Sequence, residues 1–240
     1  MYREPYVSPQ SLPKEGIADN KPIPMIPQKN EQNSGTPKIY GNRPPLPDSK
    51  TMEQIYRSMK NGLRSFKAAA PQRWLRERGL GVQTAGAGYN SGQFHHRKPR
   101  EFKEALERTG FLRAANVPAD GGQTSYRIFG KNSILFPLRD PDNTIVNFYA
   151  IPIDGNKSRA RYLNPYGLYP GYPQGPVAKL YLCGNIIDAA VLLEAKVLQA
   201  DEAVIALYDG HFMEQHGEAI ARLTKTGLRV IIWIYNTKEQ

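Results

Sequence analysis

The sequence has very little cysteine and no long hydrophobic run. Cys183 is the single cysteine of the 240 residues, and there are four histidines. One cysteine excludes an internal disulfide framework and a multi-cysteine zinc site, so we expect no zinc. No apolar run approaches the roughly 20 residues needed to span a bilayer, and the N-terminus has no apolar segment of the signal-peptide kind. These absences predict a cytoplasmic protein without a membrane partner.

Residues 1–50 contain few large apolar side chains and ten of the 20 prolines. Such a segment cannot bury enough surface to offset the entropy that is lost when its backbone is ordered. Runs such as Pro44-Pro45-Leu46-Pro47 favour an extended polyproline conformation. The composition therefore predicts a disordered Pro-rich tail over residues 1–50. A proline-dependent docking peptide is the alternative.

The net charge of +10 is concentrated in the middle of the chain. Residues 51–177 carry 19 basic and nine acidic side chains, whereas residues 178–240 carry six basic and eight acidic ones. A segment with this excess of positive charge favours a polyanionic partner. A basic surface that only maintains solubility is the alternative.

Residues 51–69 have the apolar spacing of an amphipathic helix. The apolar side chains that recur at intervals of three and four residues are Met52, Ile55, Tyr56, Met59, Leu63 and Phe66. Thr51 followed by Gln54 predicts a capping box at the start of this helix, and Pro71 predicts its end.

The rest of the middle segment changes from helical patterns to short apolar runs separated by turns. Its predicted elements are helices over residues 73–78 and 99–109 and strands over residues 125–129, 133–137 and 144–153. This order predicts a hairpin-rich α+β unit over residues 51–177.

The last segment alternates between strand and helix patterns. Strands are predicted over residues 179–183, 203–208 and 229–235, with helices over residues 186–199 and 213–224. Strand and helix in regular alternation at this spacing predict a parallel sheet with crossover helices. We therefore expect a small three-stranded α/β domain over residues 178–240.

The run His95-His96-Arg97-Lys98 ends a segment that is rich in Gly, Asn and Ser. Adjacent histidines point in different directions on any regular element, and neither an acid nor a cysteine lies near them at metal-ligand spacing. We interpret the run as a solvated loop tip or as a nucleic-acid contact through Arg97 and Lys98, rather than as a metal site.

Several stretches, read in chain order, resemble the RNA-polymerase domain of bacterial replicative primases of the DnaG type. They are LRERGL at 75–80, KNSILFPLRD at 131–140, residues 145–149, RYLNP at 161–165, GNIID at 184–188 and ALYDG at 206–210. They resemble, in that order, the family's YLxxRGLS, RNRIMFPIRD, the strand before FGGR, KYLNSP, EGYMD and ASLGT. The resemblance covers about residues 70–240 and implies a primase core joined to a TOPRIM domain.

The resemblance implies a basic groove that holds single-stranded DNA template beside a TOPRIM sheet that binds divalent metal for primer synthesis. Lys131 falls at a basic template-contacting position of the family, with Asn132 beside it, and Arg161 replaces a lysine in the same role. Tyr162 and Asn164 match the family's motif outright. The basic segment is thus the half of the chain that would hold the strand.

The acids that bind metal in this family are absent from the corresponding positions. The family has a glutamate after the first TOPRIM strand and two aspartates after the third. Here these positions hold Gly184 and the neutral run Tyr235-Asn236-Thr237, so the catalytic residues stay unassigned. The TOPRIM domain is therefore expected to be degenerate.

Asp188 and Asp209 are the remaining candidate metal ligands. Two scattered carboxylates make a poor magnesium site, because the rest of the coordination falls to water. Asp188 alone is better explained as a charge in the first turn of a helix, where the helix dipole stabilises it. An active primase would need Mg²⁺ or Mn²⁺. We expect no metal cofactor for this chain alone.

The family's TOPRIM sheet continues beyond its third strand, so a three-stranded sheet exposes an edge that another chain can cover. A helicase and another primase subunit are the candidate partners. The sequence predicts a primase-family protein of a plasmid, phage or conjugative element that binds single-stranded DNA in replication without independent primer synthesis. An active primase whose acids come from a partner or a C-terminal continuation is one alternative. A non-enzymatic replisome adaptor is the other.

Overall fold

The structure of the chain is a computed structural model that describes residues 47–115, 125–156 and 159–235. The tail predicted over residues 1–50 lies outside these ranges, apart from its last few positions. Thr237, one of the three positions predicted to have replaced metal-binding acids, lies outside them as well, together with its neighbour Asn236.

The described residues form five α-helices and nine β-strands, numbered here in chain order. The helices are α1 (Ser49–Arg64), α2 (Ala69–Arg76), α3 (Arg100–Arg108), α4 (Ile186–Glu194) and α5 (Glu214–Thr226). The strands are β1 (Gly88–Asn90), β2 (Leu112–Ala114), β3 (Tyr126–Ile128), β4 (Ser133–Arg139), β5 (Ile145–Pro152), β6 (Arg161–Tyr162), β7 (Lys179–Cys183), β8 (Glu202–Ala206) and β9 (Val230–Ile234). An α+β part is followed by an α/β part, as predicted.

The first helix begins at an aspartate cap rather than at the predicted capping box. The Asp48 carboxylate accepts a hydrogen bond from the Thr51 amide at 3.0 Å, which satisfies one of the free N–H groups of the first turn. Thr51 lies inside α1 and is buried. The capping box predicted at Thr51 and Gln54 is therefore wrong, because the residue that caps the helix precedes Thr51.

The first helix also ends earlier than predicted. Ser65 follows its last residue in an extended conformation. Phe66, which the periodicity places in the apolar stripe, is 88% exposed. Pro71 does not end a helix but lies in the first turn of α2, where its missing N–H group breaks no helical hydrogen bond.

The basic segment is built on a four-stranded antiparallel sheet in the order β1-β4-β5-β6. Side chains of β4 and β5 are buried along nearly their whole lengths. β2 and β3 pair separately as a two-stranded ribbon. The sequence does not predict β1, β2 and β6, which span only two or three residues each and cannot show a strand period.

The last three strands form a parallel sheet in the order β8-β7-β9, which confirms the predicted architecture. All three end at the same edge, where Cys183 is aligned with Ala206 and with Ile234. The residues that follow these strands therefore lie along one edge. Ligands of open α/β sheets gather at this kind of edge.

A hydrophobic core connects the two parts of the described chain. One cluster contains Trp74 and Phe136 from the basic segment together with Cys183 and Ala189 from the parallel-sheet segment. This shared packing fixes the edge of the parallel sheet relative to the antiparallel sheet. Nowhere in the described ranges is there a helix with the length and apolar character that crossing a membrane requires.

Candidate nucleic-acid interface

Lys131 and Asn132 lie in a tight turn between β3 and β4. Asn132 adopts a left-handed conformation with φ of 57°, and its amide donates to the Asn90 carbonyl at 2.7 Å. The Tyr89 hydroxyl donates to Asn132 Oδ1, also at 2.7 Å. The turn is thus fixed on both sides, and it presents the exposed Lys131 side chain to solvent.

The turn and the start of β6 together form a small basic pocket of about 210 Å³. Its lining contains no carboxylate and consists of Ile128, Gly130, Lys131, Ser133, Pro152, Arg159, Ala160 and Arg161. The structure therefore brings together Lys131 and Arg161, which the sequence predicts as separate contacts. We call this feature the basic pocket.

Arg159 is the residue of the basic pocket that the motifs do not predict. Its guanidinium forms an exposed ion pair with Asp154 at 2.8 Å, a contact of small energetic value. The guanidinium of Arg161 lies 5.4 Å from the centroid of the Phe129 ring, within the range of a cation–π interaction. The sequence contains a basic run, KSRAR at 157–161, that could have indicated Arg159. The family motif begins only at the last residue of this run, Arg161.

The loop before α3 lies beside Lys131. A Cβ atom at Gly92 would lie only 2.7 Å from Lys131 Cγ, so the lysine stem packs directly on this glycine. Arg97 is exposed, with φ of 58°. The Lys98 ammonium lies 5.3 Å from the Phe94 ring centroid. Arg97 and Lys98 are thus two further cations on a loop that packs against Lys131 at Gly92.

The adjacent histidines of this loop differ in burial. His95 is buried, and its Nδ1 atom has no hydrogen-bond partner among the described residues, whereas His96 is exposed. Burial lowers the pKa of His95, and the charges of His96, Lys103 and Lys131 lower it further. The prediction of a solvated loop tip therefore does not hold for His95, which is packed inside the protein.

Tyr162 is packed inside the protein rather than presented to a ligand. Its ring is stacked between Tyr149 and Tyr208, with centroid distances of 4.3 and 4.1 Å. Burial, followed by the charge of Asp209, raises the pKa of the Tyr162 hydroxyl above its usual range. Since both ring faces are covered, Tyr162 cannot stack on a base without rearrangement. Its predicted contact with nucleic acid stays a prediction.

Asn164 uses its side chain to hold the segment after β6. Its Nδ2 group donates to the Val146 carbonyl at 2.8 Å, and its Oδ1 atom accepts from the Tyr166 amide at 2.9 Å. The Asn147 amide group donates to the Asn164 carbonyl at 2.6 Å. The structure gives Asn164 a backbone-positioning role, and its predicted contact with nucleic acid also stays a prediction.

At the edge of the parallel sheet, Gly184 is held between its neighbours by backbone hydrogen bonds. Its amide donates to the Ile234 carbonyl at 2.9 Å, and its carbonyl accepts from the Gly210 amide at 2.7 Å. The Tyr235 ring lies in front of it, and Tyr235 is 52% exposed. Two of the positions that hold acids in the resembling family thus hold a residue without a side chain and a phenol.

Asp188 belongs to the cap of α4. The Asn185 side chain accepts from the Asp188 amide and donates to the Asp188 carboxylate, both at 2.9 Å. Burial raises the pKa of the Cys183 thiol to about 12, and the charge of Asp188 contributes to the increase. This arrangement is that of an acid in the first turn of a helix, which is the interpretation favoured by the sequence.

Asp209 follows β8 in a left-handed conformation with φ of 47°. Its carboxylate accepts a hydrogen bond from the Tyr149 hydroxyl at 3.0 Å. Although the residue as a whole is exposed, loss of solvent around the carboxyl group raises its pKa, and the Tyr149 hydrogen bond and the charge of His211 oppose this increase. Asp209 therefore joins the parallel sheet to the antiparallel sheet.

The residues at this edge do not fit the divalent-metal site that the family resemblance implies. Over the described ranges, no group of three His, Cys, Asp or Glu side chains is placed to hold a metal ion. Asp188 is engaged in a helix cap and Asp209 with Tyr149, while Gly184 offers no ligand. A magnesium site built from one or two carboxylates depends on water and on substrate phosphates for the rest of its coordination.

Solved structures of DNA primase cores share this fold. A structure of the DnaG primase catalytic domain bound to ssDNA gives a TM-score of 0.58 at 16% identity, over 77% of this chain and 61% of that chain. The RNA polymerase domain of Mycobacterium tuberculosis primase DnaG gives 0.56 at 20% identity, over 80% and 66%. The E. coli primase catalytic core gives 0.55 at 15% identity, over 80% and 73%.

These similarities concern the fold and come from structure alone. No family model matches the sequence, and no curated protein matches it. The chain spans about three fifths of the length of the ssDNA-bound catalytic domain, 61%. The chain has the fold of a DnaG-type primase catalytic core, as its motifs predict.

Proposed function

We propose that this chain binds single-stranded DNA and acts in DNA replication without making primers by itself. The observation that carries the proposal is the basic pocket, whose lining includes Lys131, Arg159 and Arg161 and no carboxylate, although Asp154 pairs with Arg159 from outside the lining. Such cations position the phosphates of a nucleic-acid backbone independently of base sequence. Primase cores of the same fold that are bound to ssDNA and to double-stranded DNA support this class of ligand.

The grouping of these cations argues against a surface that is basic only for solubility. Like charges repel, so side chains that serve solubility are better spread over the surface. Here Lys131 and Arg161 line one concavity of about 210 Å³, although 30 positions separate them in the sequence. The loop that carries Arg97 and Lys98 packs on the stem of Lys131 at Gly92. A polyanion would relieve this repulsion on binding.

Fluorescence anisotropy of a labelled oligo(dT) strand at several salt concentrations tests the proposal. We expect a roughly micromolar dissociation constant that weakens steeply as salt rises, because binding releases counterions from the phosphates. Absence of binding at low salt would contradict the proposal. A labelled uncharged polymer of similar length provides the control for nonspecific adsorption.

We do not expect independent primer synthesis. Phosphoryl transfer needs a group of carboxylates that gathers metal ions, and the described edge of the parallel sheet has no such group. Gly184 and Tyr235 support this view, since neither side chain can supply a charged oxygen at neutral pH. An active primase would therefore have to receive these carboxylates from another chain or from a further segment. It would also have to displace the Tyr235 ring from the front of Gly184.

A protein partner along β9 is part of the proposal. In the described sheet β9 pairs only with β7, so its outer backbone groups can receive another strand. A helicase or another primase subunit of a plasmid, phage or other mobile element would fit this role in the cytoplasm. A non-enzymatic adaptor would use the same edge, but that role does not explain the cations of the basic pocket.

A further inference from the structure

Three exposed aromatic side chains form a row at one edge of the parallel sheet. Phe212 and Trp233 are each 49% exposed, and Tyr235 is 52% exposed. The ring centroids of Phe212 and Trp233 are 6.2 Å apart. Those of Trp233 and Tyr235 are 5.9 Å apart, and their planes are within 3° of parallel. We call these three side chains the aromatic row.

The row is exposed because α5 covers only part of this face of the sheet. Leu182 and Trp233 are paired in register on neighbouring strands and so point to the same face. Leu182 is fully buried in the cluster that contains Ala219 of α5, whereas Trp233 remains half exposed. A contiguous patch of large exposed apolar side chains marks a binding surface more often than an isolated exposed residue does.

The aromatic row is connected to the basic pocket through a short series of contacts. Tyr162 follows the pocket residue Arg161 and stacks on Tyr208 at 4.1 Å. Two residues later, the Gly210 amide donates to the Gly184 carbonyl at 2.7 Å. Gly184 in turn lies against the Tyr235 ring, which ends the row. The basic pocket and the aromatic row are therefore only a few residue contacts apart, a separation that a strand of several nucleotides is long enough to span.

We propose that the aromatic row stacks on unpaired bases of single-stranded DNA whose phosphates run through the basic pocket. This inference rests on the proposed function and adds a second contact surface to it. Stacking on aromatic side chains tolerates any base, because every base has a π-face. Residues 178–240 have more acidic than basic side chains, so we expect the row to contact DNA through ring stacking on bases and not through its phosphates. One member of the row, Tyr235, stands at a position where the resemblance implies a metal-binding aspartate.

The two tryptophans of the chain make a direct test possible. Trp74 is 7% exposed and is covered by the Arg78 guanidinium, 3.8 Å from the ring centroid. A Trp74→Phe variant leaves Trp233 as the single tryptophan and therefore as a reporter of the row. Its fluorescence should be quenched when oligo(dT) binds. An abasic strand of equal length, which has phosphates but no bases, should bind about tenfold more weakly and should not quench.

A paired variant identifies the side chains responsible. Trp233→Leu with Tyr235→Leu should weaken oligo(dT) binding about tenfold in anisotropy and leave abasic-strand binding unchanged. Phe66→Leu, at a residue that is 88% exposed outside the row, is the matched control and should change neither. Circular dichroism of each variant checks that the fold is retained.

The possible failures have different meanings. Binding of oligo(dT) without quenching of Trp233, and with equal affinity for the abasic strand, would overturn the stacking role and leave the proposed function intact. Absence of any DNA binding would overturn both. Self-association in analytical ultracentrifugation that the paired variant abolishes, without an effect on DNA affinity, would show that the row contacts a second copy of the chain, and the inference would be wrong.

Discussion

The Tyr235 ring lies directly in front of Gly184 at the end of the parallel sheet. A Cβ atom built on Gly184 would lie 3.4 Å from Cδ1 of this ring, at ordinary van der Waals distance. The Gly184 amide also donates to the Ile234 carbonyl at 2.9 Å, which holds the two strand ends together. An aromatic ring and a residue without a side chain thus occupy two positions at which the resemblance to primases implies charged metal ligands.

The first prediction follows from this pair. We expect the purified chain to incorporate no ribonucleotides on a single-stranded template with Mg²⁺ or Mn²⁺. Loss of one good electrostatic interaction with the transition state typically costs on the order of 10² to 10³ in rate, and several charged groups are absent together. Gel analysis of primers tests this, with an active primase as the positive control. A primer ladder that Asp188→Ala or Asp209→Ala abolishes would contradict it and indicate a rebuilt metal site.

The second prediction concerns the cap of α4. Asn185→Ala should lower the free energy of unfolding by about 1 kcal/mol, because the Asp188 amide loses its acceptor. Asp188→Ala should lower it by only some tenths of a kcal/mol, the usual value of a charge at a helix N-terminus. Urea denaturation measures both changes. DNA affinity should stay the same in both variants, and a loss of affinity in Asp188→Ala alone would reveal a role in the site.

The third prediction separates packing from recognition at β6. Tyr162→Ala should lower the free energy of unfolding by about 3 kcal/mol, because it removes a ring stacked between Tyr149 and Tyr208. Tyr162→Phe keeps the ring and should leave DNA affinity unchanged. Arg161→Ala is the comparison, and it should weaken DNA binding with little effect on stability. If Tyr162→Phe weakened binding as much as Arg161→Ala, the hydroxyl would be a contact after all.

The fourth prediction is a pH dependence that comes from His216. Its Nδ1 atom accepts from the Met213 amide at 2.8 Å, and its Nε2 atom lies 3.1 Å from the Ala206 carbonyl, so the neutral ring satisfies both contacts. Burial lowers the pKa of His216. Below the unfolded value of about 6.5, the unfolded chain therefore takes up a proton that the folded chain does not. Stability should fall as the pH drops from about 7 to 5.

Denaturation at a series of pH values measures this dependence. The pKa of His95 is also lowered by its burial, so His95 contributes in the same direction. His216→Gln should therefore reduce the loss of stability at acidic pH without abolishing it. His96→Gln, at an exposed position, is the control. An unchanged pH profile in His216→Gln would show that the buried imidazole is not the group responsible.

Strong local patterns predicted much of the fold. The run Lys179–Cys183 became β7 with the same bounds, because it is apolar, short and bounded by turn residues. The end of α1 was harder to predict, because Phe66 continues the apolar period of the helix but lies after its last residue. Strands β1, β2 and β6 had no signal, because two or three residues cannot show a period, whereas the equally short β3 lies within a longer apolar run. Their existence depends on the neighbouring strands with which they pair.

The candidate site was only partly predictable, because its residues are brought together by strand pairing that the sequence does not show. The resemblance identified Lys131 and Arg161 as two separate contacts. Their proximity in one pocket depends on the pairing of β5 with β6. Arg159, two residues before Arg161, lines the same pocket although no motif includes it. Tyr162 and Asn164 match the motif, yet their side chains pack against residues that are distant in sequence. Periodicity carries no information about such contacts.

Reversing the charges of the basic pocket tests whether it holds the phosphates of single-stranded DNA. Lys131→Glu with Arg161→Glu should weaken binding of every oligonucleotide sequence alike in fluorescence anisotropy. The slope of log affinity against log salt should become shallower by about 0.7 for each phosphate that the protein no longer neutralises. Arg222→Glu with Lys225→Glu, two exposed positions of α5, is the charge-matched control and should change both quantities far less. Unchanged affinity and slope in the Lys131 and Arg161 variant would contradict the claim.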